Sequence, residues 1–154
     1  LDDNHSIVVY KRTVTSGDES AGEYTIASQY RQSTASLVIA RNVDAVIHTA
    51  DNVNQNGGGD GNSVTVPSET STVDNSLILP IVWHSRHGRD YTLAGFTEVV
   101  VADDAPDDSP LPFPHAVFSK PLATAGASGT PTITLSGSSD MTVSATTLIL
   151  EPVV

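Results

Sequence analysis

The sequence predicts an all-β protein, an antiparallel β-sandwich of the jelly-roll-like kind built from two related halves. Ser, Thr and Val dominate the composition, which suits half-buried strands and turns. The 11 Gly and 9 Pro residues interrupt almost every window that is long enough for a helix. A segment near each end of the chain also repeats the same order of strands and turns. These observations together predict a single sandwich domain.

The internal repeat pairs residues 6–41 with residues 115–152. After a two-residue insertion, Leu37–Ile39 fall on Leu148–Leu150. Each copy has the pattern of a strand, a Gly-rich turn, a Thr-rich strand, a polar turn and an apolar strand. A unit of this length cannot bury its own apolar face, so we expect the two copies to share one core.

The repeat defines the predicted domain organisation. Residues 1–44 form the end of the first half. Its opening strands are missing: they were lost, come from a partner chain or, as we expect, lie upstream of residue 1. Residues 45–62 are predicted to be an Asn/Gly-rich connecting loop, long enough to suggest a function of its own. Residues 63–154 form the second half.

Between that loop and the second copy of the repeat, strands are predicted at residues 63–67, 75–83, 91–93 and 96–102. The strand at 75–83 is apolar at both odd and even positions, so it is expected to be central and covered on both faces. Pro80 cannot donate to a ladder and therefore predicts a bulge or an edge-facing position. Residues 103–114 are predicted to be an acidic, Pro-rich loop.

The charge balance and the lack of cysteine exclude several classes of function. Seven Lys and Arg against 18 Asp and Glu give a net charge of −11, which repels nucleic-acid phosphates and anionic lipids. The sequence contains no Cys, so disulfides, thiolate chemistry and Cys-ligated zinc are excluded. No apolar run approaches the roughly 18 residues that a membrane-spanning helix needs. Neither nucleic acid nor a membrane is therefore an expected partner.

The densest group of candidate binding side chains follows the strand at 75–83. Its members are Trp83, His84, Arg86, His87, Arg89 and Tyr91. The simplest interpretation is a polar hairpin tip whose arginines offset the surrounding acid. The functional alternative is a site for a carboxylated sugar or a neighbouring subunit, with Trp83 and Tyr91 as an exposed aromatic pair. A metal site formed by the two histidines with Asp90 or His115 is a further alternative.

The acidic loop is the candidate cation site, for calcium if any metal binds. Its carboxylates are Asp103, Asp104, Asp107 and Asp108, although clustered acids on a loop are commonly just solvated. No other cofactor is expected. The Gly-rich run Gly57–Gly61 lacks the Lys and the helix start of a phosphate-binding loop, and no Gly-x-Ser-x-Gly motif is present. The sequence therefore predicts a protein that is not an enzyme.

Four motifs resemble a known family. In order along the chain they are Val64–Pro67 with Thr72–Leu79, which includes Asp74-Asn75-Ser76-Leu77, then Leu93–Glu98, Ala123–Thr130 and Leu148–Pro152. The stretch Ala40–Asp44 at the end of the first half belongs with them. They resemble a β-sandwich module that recurs in bacteriophage structural proteins and in large bacterial surface proteins. In that family, Asp-Gly-x-Leu, Pro-Ala-Gly-Trp-Thr, Ala-Gly-Ala-Thr-Gly-Thr and Leu-Arg-Pro mark successive strand boundaries. The likeness covers nearly the whole chain, but Leu93 replaces the family's Pro and Phe96 its frequent Trp.

The resemblance implies a non-enzymatic structural protein of a virion surface, either a capsid decoration (cement) protein or a tail-fibre module. Such a protein docks on the particle through one end of its sandwich and exposes loops, with host-surface adhesion as an added role. The partners so implied are other capsid or tail proteins, further copies of the chain as a homo-oligomer, and a host glycan. The implied location is the virion surface or the extracellular space. A secreted carbohydrate-binding, lectin-like module is the alternative, and a metal-dependent hydrolase is a third hypothesis that the motif search disfavours.

Overall fold

The computed structural model describes residues 35–48, 53–56, 63–84, 90–102, 114–136 and 142–154. These ranges contain β-strands and no helix, which confirms the predicted all-β class, and accordingly no helix there could cross a membrane. The strands are β1 (Val43–Ile47), β2 (Val53–Asn56), β3 (Ser63–Thr65), β4 (Thr70–Ser71), β5 (Ser76–His84), β6 (Tyr91–Thr92), β7 (Thr97–Ala102), β8 (His115–Leu122), β9 (Gly126–Ala127), β10 (Thr132–Leu135) and β11 (Thr142–Pro152).

The strands form one large sheet and one small sheet, both antiparallel. The large sheet has the order β1-β11-β5-β8-β7, and β2 also pairs with β11. The small sheet has the order β3-β10-β6, and β4 and β9 form a separate two-stranded ribbon. Most neighbours in the sheets are far apart in sequence, so the fold depends on long-range pairing rather than on local hairpins.

The main core lies between the large and the small sheet. One face of the large sheet supplies Val82, Phe118 and Ala145, among others, and the small sheet supplies Ile133 and Leu135. Side chains of a strand alternate between its faces, so each of these strands sends every second residue into this layer. Aliphatic residues make up most of the core, as the low aromatic content of 5% predicts.

The opposite face of the large sheet, called here the outer face, is also apolar. Leu79, Val117, Leu148 and Leu150 are buried there as a second cluster. Partly buried residues packed against that cluster are Val43, Val46, Leu77, Ile81 and Val100. Side chains at both odd and even positions of β5 are therefore buried or partly buried. The strand lies between β11 and β8, as its uninterrupted apolar sequence predicts.

Pro80 lies inside this central strand without a bulge, so the expected bulge or edge-facing position is wrong. Pro80 is paired with Thr147 of β11. On its other side, the ladder between β5 and β8 is interrupted at Leu79 and Pro80. The register is the same on both sides of that interruption, from the pair Ile78 and Lys120 to the pair Ile81 and Val117. Proline has no N–H to donate, and the sheet accommodates it by leaving out ladder bonds on one side only.

The prediction of a connecting loop at residues 45–62 is wrong for part of that range. Residues 45–47 belong to β1 and residues 53–56 form β2, and both pair with β11. The register changes by two residues between the two strands, so they act as one edge strand with an interruption. At the interruption, His48 Nδ1 donates to the carbonyl oxygen of Thr147 over 3.1 Å. Tertiary pairing with a long central strand has here overridden the turn-forming preference of Asn.

The duplication into two related halves stays a prediction, because residues 6–34 lie outside the described residues. One part of the first copy can be compared. The apolar strand expected at Leu37–Ile39 is not formed, since residues 35–40 adopt no regular secondary structure. The equivalent residues Leu148–Leu150 lie in the middle of β11.

Replacing a core residue tests this packing. Ile133 is completely buried between the sheets, so Ile133→Ala should lower the free energy of unfolding by about 2–5 kcal/mol in urea denaturation. Val99→Ala changes an exposed side chain of the same aliphatic kind and should stay within about 0.5 kcal/mol of the wild type. Equal effects of the two substitutions would contradict the sandwich core.

Candidate functional site

The sandwich has two unlike ends, and the described members of the sequence-predicted site, Trp83, His84 and Tyr91, lie at one of them. At this loop end, the register places Trp83 opposite His115, Ala102 opposite His115, and Val143 opposite His84. In the small sheet, Leu135 and Tyr91 are paired at the same end. The residues that flank four chain segments therefore lie together at the loop end. These segments are 57–62, 85–89, 103–113 and 137–141.

The His/Arg cluster follows β5 and the acidic loop precedes β8, and these two strands are neighbours in the large sheet. Trp83 and His84 end β5, Tyr91 begins β6, and the acidic loop joins β7 to β8. The remaining predicted site residues lie outside the described residues. These are Arg86, His87, Arg89, Asp103, Asp104, Asp107 and Asp108. Among the described residues, no group of three His, Asp or Glu side chains is arranged to hold a metal ion.

The expectation that Trp83 and Tyr91 form an exposed aromatic pair is wrong. Trp83 is only 5% exposed and Tyr91 only 7%. The alternation of β5 puts Trp83 on the outer face with Ile81, whereas Tyr91 belongs to the core between the sheets. The two rings are therefore separated by the large sheet and cannot form one platform for a sugar.

His84 is fully buried on the core side of β5 and packs against Tyr91. Their ring centroids are 5.2 Å apart with the planes tilted by 47°. The backbone N–H of His84 donates to the carbonyl oxygen of Pro114 at 3.3 Å, which fixes the end of β5 beside the start of β8. His84 therefore serves as a packing residue of the loop end, and its ring does not face solvent.

Two further contacts order the loop end from neighbouring segments. Asp90 and Ser136 bond reciprocally: the N–H of Asp90 donates to Ser136 Oγ at 2.8 Å, and the N–H of Ser136 donates to the Asp90 carbonyl at 2.9 Å. On the outer face, Ser36 Oγ lies 2.6 Å from His115 Nε2. These contacts order the residues that flank segments 85–89, 103–113 and 137–141.

The opposite end, called here the turn end, is organised around the carboxylate of Glu151 near the end of β11. Glu151 Oε1 accepts from Ser71 Oγ at 2.8 Å, from the N–H of Thr72 at 2.7 Å and from Thr72 Oγ1 at 3.2 Å. The hydrogen bonds from Thr72 and Ser71 lower the pKa of this buried carboxyl below its ordinary value. Bonds of this kind favour the charged form more than partial burial opposes it. Glu151 thus locks the turn between β4 and β5 onto β11.

A second set of bonds joins the turn at Asp74 to the Gly-rich turn after β8. The N–H of Ala125 donates to Asp74 Oδ1 at 2.7 Å, and the N–H of Asn75 donates to the carbonyl oxygen of Ala123 at 3.2 Å. Asn75 has a φ of 60°, a left-handed conformation that Asn tolerates better than most residues. The Asp-Asn sequence is therefore used to turn the chain and to bind a neighbouring turn.

The buried polar residues beneath these turns were not identified from the sequence. Glu69 is buried, its N–H donates to Ser128 Oγ at 2.9 Å, and its Oε1 lies 3.7 Å from His48 Nδ1. Thr147 Oγ1 donates to the carbonyl oxygen of Pro67 at 2.6 Å. Of these buried polar residues, only Glu151 could have been found from the sequence. Alternation along β11 from Ile149 places the Glu151 side chain on the core side. Glu69 follows a Pro in a segment without periodicity, so no pattern marks it.

Comparison with known proteins adds no identification: no protein-family model, curated protein or solved structure matches the chain. The fold and the two ends of the sandwich are therefore the basis for a functional proposal, together with the sequence motifs.

The Glu151 carboxylate makes stability depend on pH. Its pKa is lower in the folded than in the unfolded protein, so its contribution is complete above the unfolded value of about 4.5 and is lost as the pH falls through the folded value. We therefore expect Glu151→Gln to be less stable than the wild type near neutral pH, and the difference to shrink as the pH falls below about 4.5. Urea unfolding at a series of pH values measures this.

The matched control is Glu98→Gln, because Glu98 is exposed on β7. It should leave both the stability and its pH dependence close to those of the wild type. If Glu151→Gln followed the wild type at every pH, the carboxylate would have no role in holding the turn end.

Proposed function

We propose that the chain is a non-enzymatic structural module of a virion surface, a capsid decoration protein or a tail-fibre module. In this proposal the turn end docks on the particle and the loop end is displayed. The main support is that three of the motifs that resemble the phage β-sandwich module meet at the turn end. Thr72–Leu79, Ala123–Thr130 and Leu148–Pro152 are joined there through Asp74, Glu151 and their partners.

The hydrogen bonds of the turn end support its assignment as the docking surface. Its turns are bonded to one another and to β11, so their backbone is ordered before any partner arrives. A pre-ordered surface loses little conformational entropy on binding, which favours stable docking of a module present in many copies. The two-stranded ribbon of β4 and β9 adds a further link, since Ser128 N–H donates to the Glu69 carbonyl at 2.7 Å.

The topology of the loop end supports its assignment as the displayed surface. The residues that flank four chain segments lie there, among them the residues that flank the His/Arg segment and the acidic segment. Loops presented by a rigid scaffold are the common location of binding residues that vary without damage to the core. The net charge of −11 keeps particles carrying such a surface apart in solution. Burial of Trp83 and Tyr91 removes the aromatic platform that the lectin-like alternative needs.

Epitope tags inserted at the two ends test the proposal. One tag is placed after Gly58, between strands that end and begin at the loop end, and a matched tag is placed after Thr124 at the turn end. Circular dichroism melting first establishes that both tagged proteins fold. We expect virions assembled with the first protein to bind anti-tag antibody on their surface in electron microscopy. The second protein should be excluded from virions or should carry a tag that antibody cannot reach.

Three results would contradict this proposal. Absence of the untagged protein from purified virions would exclude a virion function. Equal accessibility of the two tags on intact particles would exclude docking through the turn end. A folded Thr124 insertion that assembled with an exposed tag, while the Gly58 insertion was hidden, would reverse the orientation.

A further inference from the structure

Residues 35–41, called here the open segment, have the sequence of a buried strand but are exposed. Leu37 and Ile39 are each 57% exposed and Val38 is 37% exposed. The equivalent residues of the internal repeat, Leu148–Leu150, are buried in β11, where they pair with β5, and Ile149 and Leu150 also pair with β1. The same apolar triplet thus occurs once inside a sheet and once outside any regular structure.

Contacts at both ends hold the open segment along the large sheet. Near its start, Ser36 Oγ lies 2.6 Å from His115 Nε2 at the loop end. Just beyond its end, the carbonyl oxygen of Asn42 accepts from the N–H of Val153 at 3.0 Å, at the turn end. These contacts restrain the two ends of the segment, which reduces the entropy lost when a strand partner binds.

We propose that the open segment pairs with the open segment of a second copy of the chain, antiparallel and centred on Val38. This arrangement matches side chains of similar size. Leu37 of one copy faces Ile39 of the other, Ser36 faces Ala40, and Val38 faces itself. β-branched and aliphatic residues facing one another across an antiparallel pair stabilise it. Backbone bonds between the copies provide the ladder that residues 35–40 do not form with any described strand.

The charges of the segment favour the antiparallel orientation. Arg41 is the one charged residue among residues 35–41. Antiparallel pairing places the two Arg41 side chains at opposite ends of the contact, about 20 Å apart for six residues of strand. That separation exceeds the screening length of about 8 Å at physiological ionic strength, whereas a parallel pair would bring them together. This self-pairing would occur whether or not the chain belongs to a virion.

The contact is small, so the dimer is weak. Stable interfaces bury about 800 Å² on each partner, more than a seven-residue strand provides, and we expect a dissociation constant on the order of 100 μM. Each copy carries a net charge of −11, so added salt should screen the repulsion and strengthen the dimer. Sedimentation equilibrium at two salt concentrations measures both properties.

Cysteine cross-linking identifies the contact, because the chain contains no Cys of its own. Val38→Cys places two thiols directly opposite each other in the proposed pair, at a spacing that suits a disulfide. Val99→Cys is the matched control, since Val99 is 46% exposed and lies on β7, outside the open segment. Under mild oxidation we expect Val38→Cys to form disulfide-linked dimer at least ten times faster than Val99→Cys on non-reducing gels.

A charge-matched pair of double variants completes the test. Leu37→Asp with Ile39→Asp should abolish the dimer, and Thr97→Asp with Val99→Asp, which adds the same charge at exposed positions of β7, should weaken it much less. The altered side chains are exposed, so melting curves should stay close to the wild type. The proposal is overturned if the wild type stays monomeric at millimolar concentration, if both cysteine variants cross-link at one rate, or if both double variants dimerise equally.

Discussion

Strand β11 determines the arrangement of the rest of the molecule because it pairs along its whole length and sends side chains to both faces of the large sheet. Its core-facing residues include Val143 and Ala145, and its outer-facing residues include Leu148 and Leu150. The same alternation brings Glu151 beneath the turn that follows β4. A shift of one residue in its register would exchange these two sets, exposing the core residues and withdrawing the carboxylate from the turn. Core packing, sheet order and the turn end therefore depend on one register.

Much of the fold could be predicted from local pattern, because the relevant strands alternate or are apolar throughout. The central position of β5 follows from its unbroken run of apolar residues, and the Thr-rich strand β10 from its alternation. What could not be predicted was long-range pairing. Residues 53–56 are polar and Asn-rich, and they form a strand because the edge of β11 is available to them. Pro80 was likewise judged by its own chemistry, although the sheet simply omits bonds to one neighbour there.

In the candidate site, too, local pattern could be predicted and long-range pairing could not. Sequence proximity grouped Trp83 with Tyr91, but Trp83 lies on the outer face of the large sheet, whereas Tyr91 begins β6 of the small sheet and faces the core. The residues that do come together are joined across large separations in sequence, such as Glu151 with Ser71 and Asp74 with Ala125. Asp74, Ala125 and Glu151 each belong to a motif that was recognisable in the sequence on its own. Which turns meet is decided by the strand order, which local composition does not contain.

The two proposals have a physical connection through concentration. A net charge of −11 on each copy opposes association in dilute solution, and one seven-residue strand gives only a small contact. Copies arrayed on a particle have an effective concentration in the millimolar range when their spacing matches the contact, which exceeds a dissociation constant on the order of 100 μM. Docking through an ordered turn end would also fix the orientation of each open segment, removing rotational entropy from the second contact. Weak self-pairing would then operate on the assembled surface and not among free chains, which suits a component that must stay dispersed until it assembles.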